Sequence, residues 1–223
     1  NTYLCSTKTP FYVHWPGKMK QGLVDNEHVV STVDLFATFL DAAGINILPN
    51  LDGKSIIPLL KGEKQSGRNY FFGEIDYKIG GKDTPMRAVG DKQFRYIYNA
   101  WSINNNSYRN NNEGQIIKAI EREGNPELLE WVRYYRQRQP EELYDIINDP
   151  DASNNLIDDP NYKHVAKRFQ KVLTEWMIEK NDPVLPMFRD RYNHALVEEF
   201  LDQDFTTKES MMPAKKLNDI KKR

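Results

Sequence analysis

Met86-Arg87-Ala88-Val89-Gly90-Asp91-Lys92-Gln93-Phe94-Arg95-Tyr96-Ile97-Tyr98 is the stretch on which the fold turns. Two runs rich in β-branched and aromatic side chains, Met86 to Val89 and Phe94 to Tyr98, flank Gly90-Asp91-Lys92, a composition suited to a tight reversal. The stretch therefore predicts an antiparallel hairpin. Tyr70-Phe71-Phe72-Gly73-Glu74 reads as a further strand, so a small antiparallel sheet is expected between Tyr70 and Tyr98. Toward the C-terminus, Asn104 to Asn112 is an Asn-rich loop, and helical patterns return at Gln115–Glu123 and Pro126–Arg136. A longer helix begins after Asp159-Pro160, with Pro160 suited to its first turn. Its stripe of Val165, Phe169, Val172 and Trp176, ending near Asp182-Pro183, is expected to cover one face of the sheet. Beyond Pro186 the chain turns charged and sparsely apolar and reads as a solvated or crossing arm.

Toward the N-terminus the period changes again. Thr9-Pro10-Phe11-Tyr12-Val13-His14-Trp15-Pro16-Gly17 reads as a strand closed by a Pro-Gly turn, apolar on both faces like a strand inside a larger sheet. Ser31-Thr32-Val33-Asp34 resembles a capping box with Asp in place of Glu, and Val33, Phe36, Leu40 and Ala43 follow at helical spacing. Gly44 stands where a left-handed residue would close that helix. Between Gly53 and Leu60 a short helix or turn is expected to pack Ile56, Leu59 and Leu60 inward.

Composition excludes several functions. The 223 residues carry 31 basic and 32 acidic side chains for a net charge of −1, so no basic field marks a nucleic-acid partner. No apolar run approaches the ~20 residues that span a bilayer. The single cysteine, Cys5, has no internal partner for a disulfide. The four histidines, at 14, 28, 164 and 194, are scattered, and His14 sits at the end of its strand, where ligand groups gather in α/β folds. Asp149-Pro150-Asp151 and Asp158-Asp159-Pro160 are explained as turns and caps. Arg87 suits either two-pronged pairing with a sulfate or carboxylate, or a structural ion pair between layers. Asn105-Asn106-Ser107 is a glycosylation sequon of a kind common by chance in Asn-rich loops.

The order of segments carries the sharpest signal. Thr9-Pro10-Phe11 to Trp15-Pro16-Gly17, Val30-Ser31-Thr32-Val33-Asp34-Leu35, Asp41-Ala42-Ala43-Gly44, Leu51-Asp52-Gly53-Lys54-Ser55 with Pro58-Leu59-Leu60-Lys61-Gly62, and Glu142-Leu143-Tyr144-Asp145 with Asn148-Asp149-Pro150 and Asn154-Asn155-Leu156 together resemble the C-terminal part of the sulfatase family. Asn1-Thr2-Tyr3-Leu4, Pro85-Met86-Arg87-Ala88-Val89 and the late Trp176 and Asp182-Pro183 are most similar to its heparan N-sulfatase, or sulfamidase-like, branch.

That resemblance implies an α/β alkaline-phosphatase-like fold. Residues 1–66 would be the last part of a large α/β domain, 67–183 a small C-terminal α+β subdomain, and 184–223 a charged tail. It implies hydrolysis of sulfate esters or sulfamates on sulfated glycans such as heparan sulfate, with a calcium ion and a formylglycine. Location in the periplasm, the lysosome or outside the cell is expected on the same ground. Cys5 is followed by Ser6, Thr7, Lys8 and Thr9 and so lacks the Cys-x-Pro-x-Arg pattern of the formylglycine precursor. The nucleophile and metal ligands are accordingly expected upstream of Asn1, on an N-terminal portion that is this chain's partner. Tyr3, His14, Glu74 and Arg87 are the candidates for the substrate rim. A phosphohydrolase of the same superfold and a non-catalytic interaction module are the competing readings. As a fragment, the chain should expose apolar surface at Val13 and along Val33–Leu40.

Overall fold

A computed structural model describes residues 2–76, 84–103 and 114–202. The sequon and the whole Asn-rich loop lie outside the described residues, as does the chain after 202. Four strands, β1 (Phe71–Ile75), β2 (Met86–Gly90), β3 (Phe94–Asn99) and β4 (Glu141–Asp145), form an antiparallel sheet in chain order. Asp91 makes the predicted hairpin turn. Its N–H donates to the Phe94 carbonyl (3.0 Å), while its Oδ1 accepts from the N–H groups of Gln93 (2.9 Å) and Phe94 (2.8 Å). Between β3 and β4 the chain detours through α4 (Gln115–Glu123) and α5 (Pro126–Arg136), both where the periodicity put them. The outer edge of β4 is not left open. Leu143 donates to Asn155 Oδ1 (2.8 Å) and accepts from the N–H of Leu156 (2.8 Å), so the Asn154-Asn155-Leu156 motif seals the strand.

Alternation divides the sheet into two cores. Val89, Tyr96, Tyr98 and Leu143 face α6 (Lys163–Lys180), whereas Met86, Ala88, Ile97 and Tyr144 face Tyr3 and Trp101 on the other side. The side chain of Asp159 caps the approach to α6, accepting from Asn161 N–H (2.9 Å). The fully inward stripe of α6 runs Val165, Phe169, Leu173, Met177 at four-residue steps. The expected Val172 and Trp176 flank it, half-buried. Two further helices, α7 (Leu185–Arg189) and α8 (His194–Asp202), follow. They overturn the solvated-arm reading for residues 184–202. Val184, Met187, Phe188 and Val197 are all buried in the core beneath α6. Four well-spaced apolar residues are enough to anchor short helices among many charges, which average composition conceals.

The N-terminal 70 residues hold three short helices, α1 (Leu4–Thr7), α2 (Asp34–Ala42) and α3 (Ile57–Leu60), joined by loops. The strand expected over 9–15 is not formed. Phe11 and Tyr12 are exposed, and no described strand pairs with this segment, without which its backbone groups have no ladder to join. The turn that follows is present: Gly17 has φ +72°, and Lys18 N–H donates to the Trp15 carbonyl (3.1 Å). Helix α2 closes as expected. Gly44 is left-handed (φ +69°), and the N–H groups of Gly44 and Ile45 return to the carbonyls of Asp41 (3.0 Å) and Leu40 (2.9 Å). Its inward face, however, is Asp34, Ala37 and Thr38. Thr38 Oγ1 accepts from Ile56 N–H (3.1 Å) and donates to the Asp34 carbonyl (2.7 Å). Gly53 passes so close that a Cβ there would lie 2.0 Å from the Val33 carbonyl oxygen. Segment 53–56 thus fastens to the polar face of α2, leaving Val33 (56% exposed), Phe36 (54%) and Phe39 (64%) outward. This is the exposed apolar surface expected of a fragment; Val13 is half-buried.

Candidate functional site

A concavity of about 440 Å³ lies between β1, the C-terminal end of α6 and the loops around Ser31, Lys54 and Arg68. Its apolar wall is a stacked pair, Phe72 of β1 and Trp176 of α6, with ring centroids 5.1 Å apart and planes within 7°. Asp34 and Arg68 form one side. Arg68 Nη1 donates to Asp34 Oδ2 (2.8 Å), and the other Asp34 oxygen accepts Lys54 N–H (2.8 Å). Across the opening, Lys180 pairs with Asp52 (2.5 Å) and Glu179 (2.9 Å).

Arg87 forms the base. On β2 its side chain points toward α6, where Nε and Nη2 grip the Asp182 carboxylate at 2.5 and 2.9 Å. Nη2 also reaches Asp76 Oδ1 (2.7 Å), and Nη1 donates to the carbonyls of Ile75 (3.1 Å) and Met86 (2.9 Å). All five guanidinium N–H groups are used. Burial opposes the charge, but the paired Asp182 and Asp76 outweigh it and hold the pKa above the ordinary arginine value. The geometry is therefore that of a structural ion pair between sheet and helix. A sulfate would have to displace Asp182 to reach Arg87.

Of the four candidate rim residues, Glu74 and Arg87 share this cleft, Glu74 standing exposed on β1. His14 is exposed on the N-terminal loop and does not line it. Tyr3 lies in the core on the opposite face of the sheet, its hydroxyl donating to Glu142 Oε2. Burial and the adjacent Glu142 carboxylate push the Tyr3 pKa well up, so it carries no charge there. Six carboxylates (Asp34, Asp52, Glu74, Asp76, Glu179, Asp182) line the cleft against four cations (Lys54, Arg68, Arg87, Lys180). Its own field does not attract a sulfate. His28 is excluded as a base: its Nε2 accepts from Gln65 N–H (3.2 Å) and its Nδ1 contacts Asp25 (2.9 Å).

Two buried glutamates escaped the sequence reading. Glu141 and Glu142 are neighbours on β4 and so face opposite cores. Glu141 accepts from Tyr96 (2.5 Å), Tyr192 (2.5 Å) and Gln170 (2.6 Å) and pairs with Arg191 (2.8 Å). Burial works against its charge, yet these donors hold its carboxyl below the usual range. Glu142 meets Tyr3 and the more distant Arg138 (3.9 Å), and burial prevails, raising its carboxyl. The available signal was the two-residue alternation through Glu141-Glu142-Leu143-Tyr144 beside six tyrosines and arginines between Arg133 and Arg138 and at Tyr192. Among the described residues no three His, Cys, Asp or Glu side chains converge to hold a metal ion. Cys5 is exposed on α1.

Residues 2–113 match the family model for N-sulphoglucosamine sulphohydrolase, C-terminal. An ulvan-active sulfatase of Formosa agariphila is 29% identical over 177 residues, covering 78% of this chain and 34% of its own length. The N-sulphoglucosamine sulphohydrolase of Homo sapiens is 26% identical over 197 residues, covering 82% and 39%. The crystal structure of a putative sulfatase from Bacteroides thetaiotaomicron superposes with a TM-score of 0.53 at 25% identity, covering 78% of this chain and 29% of that one. The chain thus spans about a third of the length of the relatives it matches. The four-stranded sheet with its packed helix is the C-terminal part of an alkaline-phosphatase-like sulfatase fold.

Proposed function

Because the chain belongs to the N-sulphoglucosamine sulphohydrolase C-terminal family, we propose that it is the C-terminal portion of a sulfatase acting on sulfate esters or sulfamates of sulfated glycans. The family match over residues 2–113 carries this reading. The chain's own chemistry assigns it a supporting part. Cys5 stands outside any formylglycine context, and the described carboxylates and histidines do not fit a calcium site, so both groups would rest on residues of an N-terminal portion. There the formylglycine, a modified residue of that portion, would supply the nucleophile, and a bound calcium ion the charge that offsets the sulfate.

What this chain contributes is a wall and a docking face. Val33, Phe36 and Phe39 present an unpartnered apolar stripe, suited to burial against the portion that holds the nucleophile. Val33 also lines the cleft, so docking there would bring the Phe72–Trp176 pair and Glu74 beside the assembled pocket. The aromatic pair offers an apolar surface for sugar rings, while sulfate recognition is left to the partner. Glu74 and His14, both exposed, are the rim residues we propose; Arg87 and Tyr3 act by holding the wall in place.

The test is release of inorganic sulfate from a panel of sulfated oligosaccharides, N-sulphoglucosamine units included. The full-length polypeptide is expected to release it and the 223-residue chain alone to release none. Turnover by the chain alone, or none by the full-length protein on any member, would overturn the proposal.

A further inference from the structure

Of the four cations that line the cleft, three are committed to carboxylates: Arg68 to Asp34, Arg87 to Asp182 and Asp76, and Lys180 to Asp52 and Glu179. Lys54 is the exception. It stands exposed on the cleft wall, and its ammonium forms no ion pair with a described residue. Its backbone, by contrast, is held on both sides. The Lys54 N–H donates to Asp34 Oδ1 (2.8 Å), and the Lys54 carbonyl accepts from Arg68 Nη2 (2.8 Å). Asp34 and Arg68 are both buried and paired with each other, so this clamp is itself an ion pair shielded from water. Asp34 Oδ2 also accepts Ser31 N–H (2.9 Å), and Arg68 Nη2 reaches the Ser55 carbonyl (3.3 Å). The clamp fixes where the Lys54 side chain starts and leaves its charged end unused.

The ammonium has a seat as well. Gly67, another lining residue and the neighbour of Arg68, is left-handed (φ +74°), and a Cβ there would stand 2.5 Å from Lys54 Nζ. Glycine supplies both the backbone conformation and the room. The surrounding charge then decides what this cation can do. With six carboxylates around it, the cleft opposes anions in general. A single uncommitted ammonium offsets that opposition at one place. An anionic group is admitted where it touches Lys54 and opposed elsewhere, which is a basis for specificity more than for affinity.

We infer that Lys54 is a specificity-determining residue, which receives one oxyanion, carboxylate or sulfate, carried by a sugar of the glycan other than the one that loses its sulfate. The Asp34–Arg68 pair positions it. This rests on the reading of the cleft as part of a glycan pocket, with the reacting sulfate held by the N-terminal portion. The Phe72–Trp176 wall of the same cleft offers that neighbouring sugar its apolar surface.

The full-length polypeptide is given sulfated disaccharides that share the reacting sugar and differ in its neighbour: a hexuronate, a sulfated hexose or the neutral hexose. The quantity read is the ratio of kcat/KM for each anionic neighbour to that for the neutral one. K54M should lower this ratio about fivefold, chiefly through KM, the equivalent of one exposed ion pair. The arm that falls identifies carboxylate or sulfate as the group Lys54 takes. G67A keeps the charge but puts a methyl group on the ammonium's seat, and should lower the ratio in the same arm. A general loss of fold lowers every substrate alike and leaves the ratio unmoved. K54M and K54R, changes to an exposed side chain, carry the test if G67A does not fold, and K54R should keep most of the preference. Calorimetric titration of the desulfated disaccharides into the same proteins reads the preference without turnover. Binding that prefers an anionic neighbour, loses the preference in K54M and is accompanied by no sulfate release would sink the sulfatase reading and leave this one standing. A K54M ratio within about twofold of the wild type in both anionic arms, in turnover and in binding, would overturn the inference. So would a wild-type protein that prefers neither anionic neighbour, and a folded G67A with the wild-type ratio would remove the seat.

Discussion

Removing Asp182 should unfold the chain far more readily than its place just beyond a helix end suggests. The Arg87 side chain is 1% exposed and Asp182 2% exposed, so water does not replace the lost partner. Asp182→Ala leaves Nε unpaired and Nη2 with Asp76 alone, a carboxylate that is 46% exposed and holds only one side of the guanidinium. It also deletes the Oδ1 that accepts Val184 N–H at 2.8 Å at the entry to α7. Breaking a buried pair by removing one partner costs about 3–5 kcal/mol, and for a chain of this size that is a fall in Tm of roughly 6–20 °C. Two controls divide the effect. Asp182→Asn keeps an acceptor for Val184 and loses the charge. The double variant R87M/D182N removes the stranded cation and should be more stable than D182A, since two neutral groups leave no uncompensated charge. Urea and thermal denaturation followed by circular dichroism measure these proteins together with the single variant R87M. If D182A lies within about 1 kcal/mol of the wild type, or the double variant loses the sum of the two single losses, the ion pair is not what joins sheet and helix here.

The adjacent glutamates of β4 should respond to pH in opposite senses. The Glu141 carboxyl is held low, so its contribution is present above its unfolded value of about 4.3 and lost as pH falls through the lower folded value. E141Q should flatten the acid limb of the stability profile. Glu142 is held high, so the folded state keeps its proton longer, and stability falls as pH rises from about 4.3 through the raised folded value. E142Q should remove that fall, and a profile in which both variants shift the same limb would contradict the two assignments. On α2, F36D and F39D should leave the chain's own Tm within about 0.5 kcal/mol equivalents, because both rings are more than half exposed. The same changes in the full-length polypeptide should lower its Tm and its sulfate release; unchanged behaviour there would remove α2 from the docking face.

The hairpin at Gly90-Asp91-Lys92, helices α4 and α5, the left-handed stop at Gly44 and the cap at Asp159 were legible in the residues alone. Each depends on a local rule: turn chemistry, a 3.6-residue period, or a side chain reaching its own backbone two or three residues away. The ordered family motifs were legible too, since order along the chain needs no folding to be seen. Which face of α2 turns inward was not. Periodicity marks an apolar stripe but cannot say what lies opposite it, and here Thr38 and Asp34 found partners 18 and 20 residues away while Phe36 and Phe39 stayed more than half exposed. The same holds for the segment at 9–15, whose β-branched and aromatic run needs a ladder supplied from elsewhere, and for α7 and α8, where four buried side chains outweigh a charged composition. Arg87 and Arg95 make the point most directly. Both are arginines on adjacent strands of one sheet, yet one meets Asp182 from 95 residues away and the other meets no carboxylate among the described residues, a difference that arises only when distant parts of the chain are brought together.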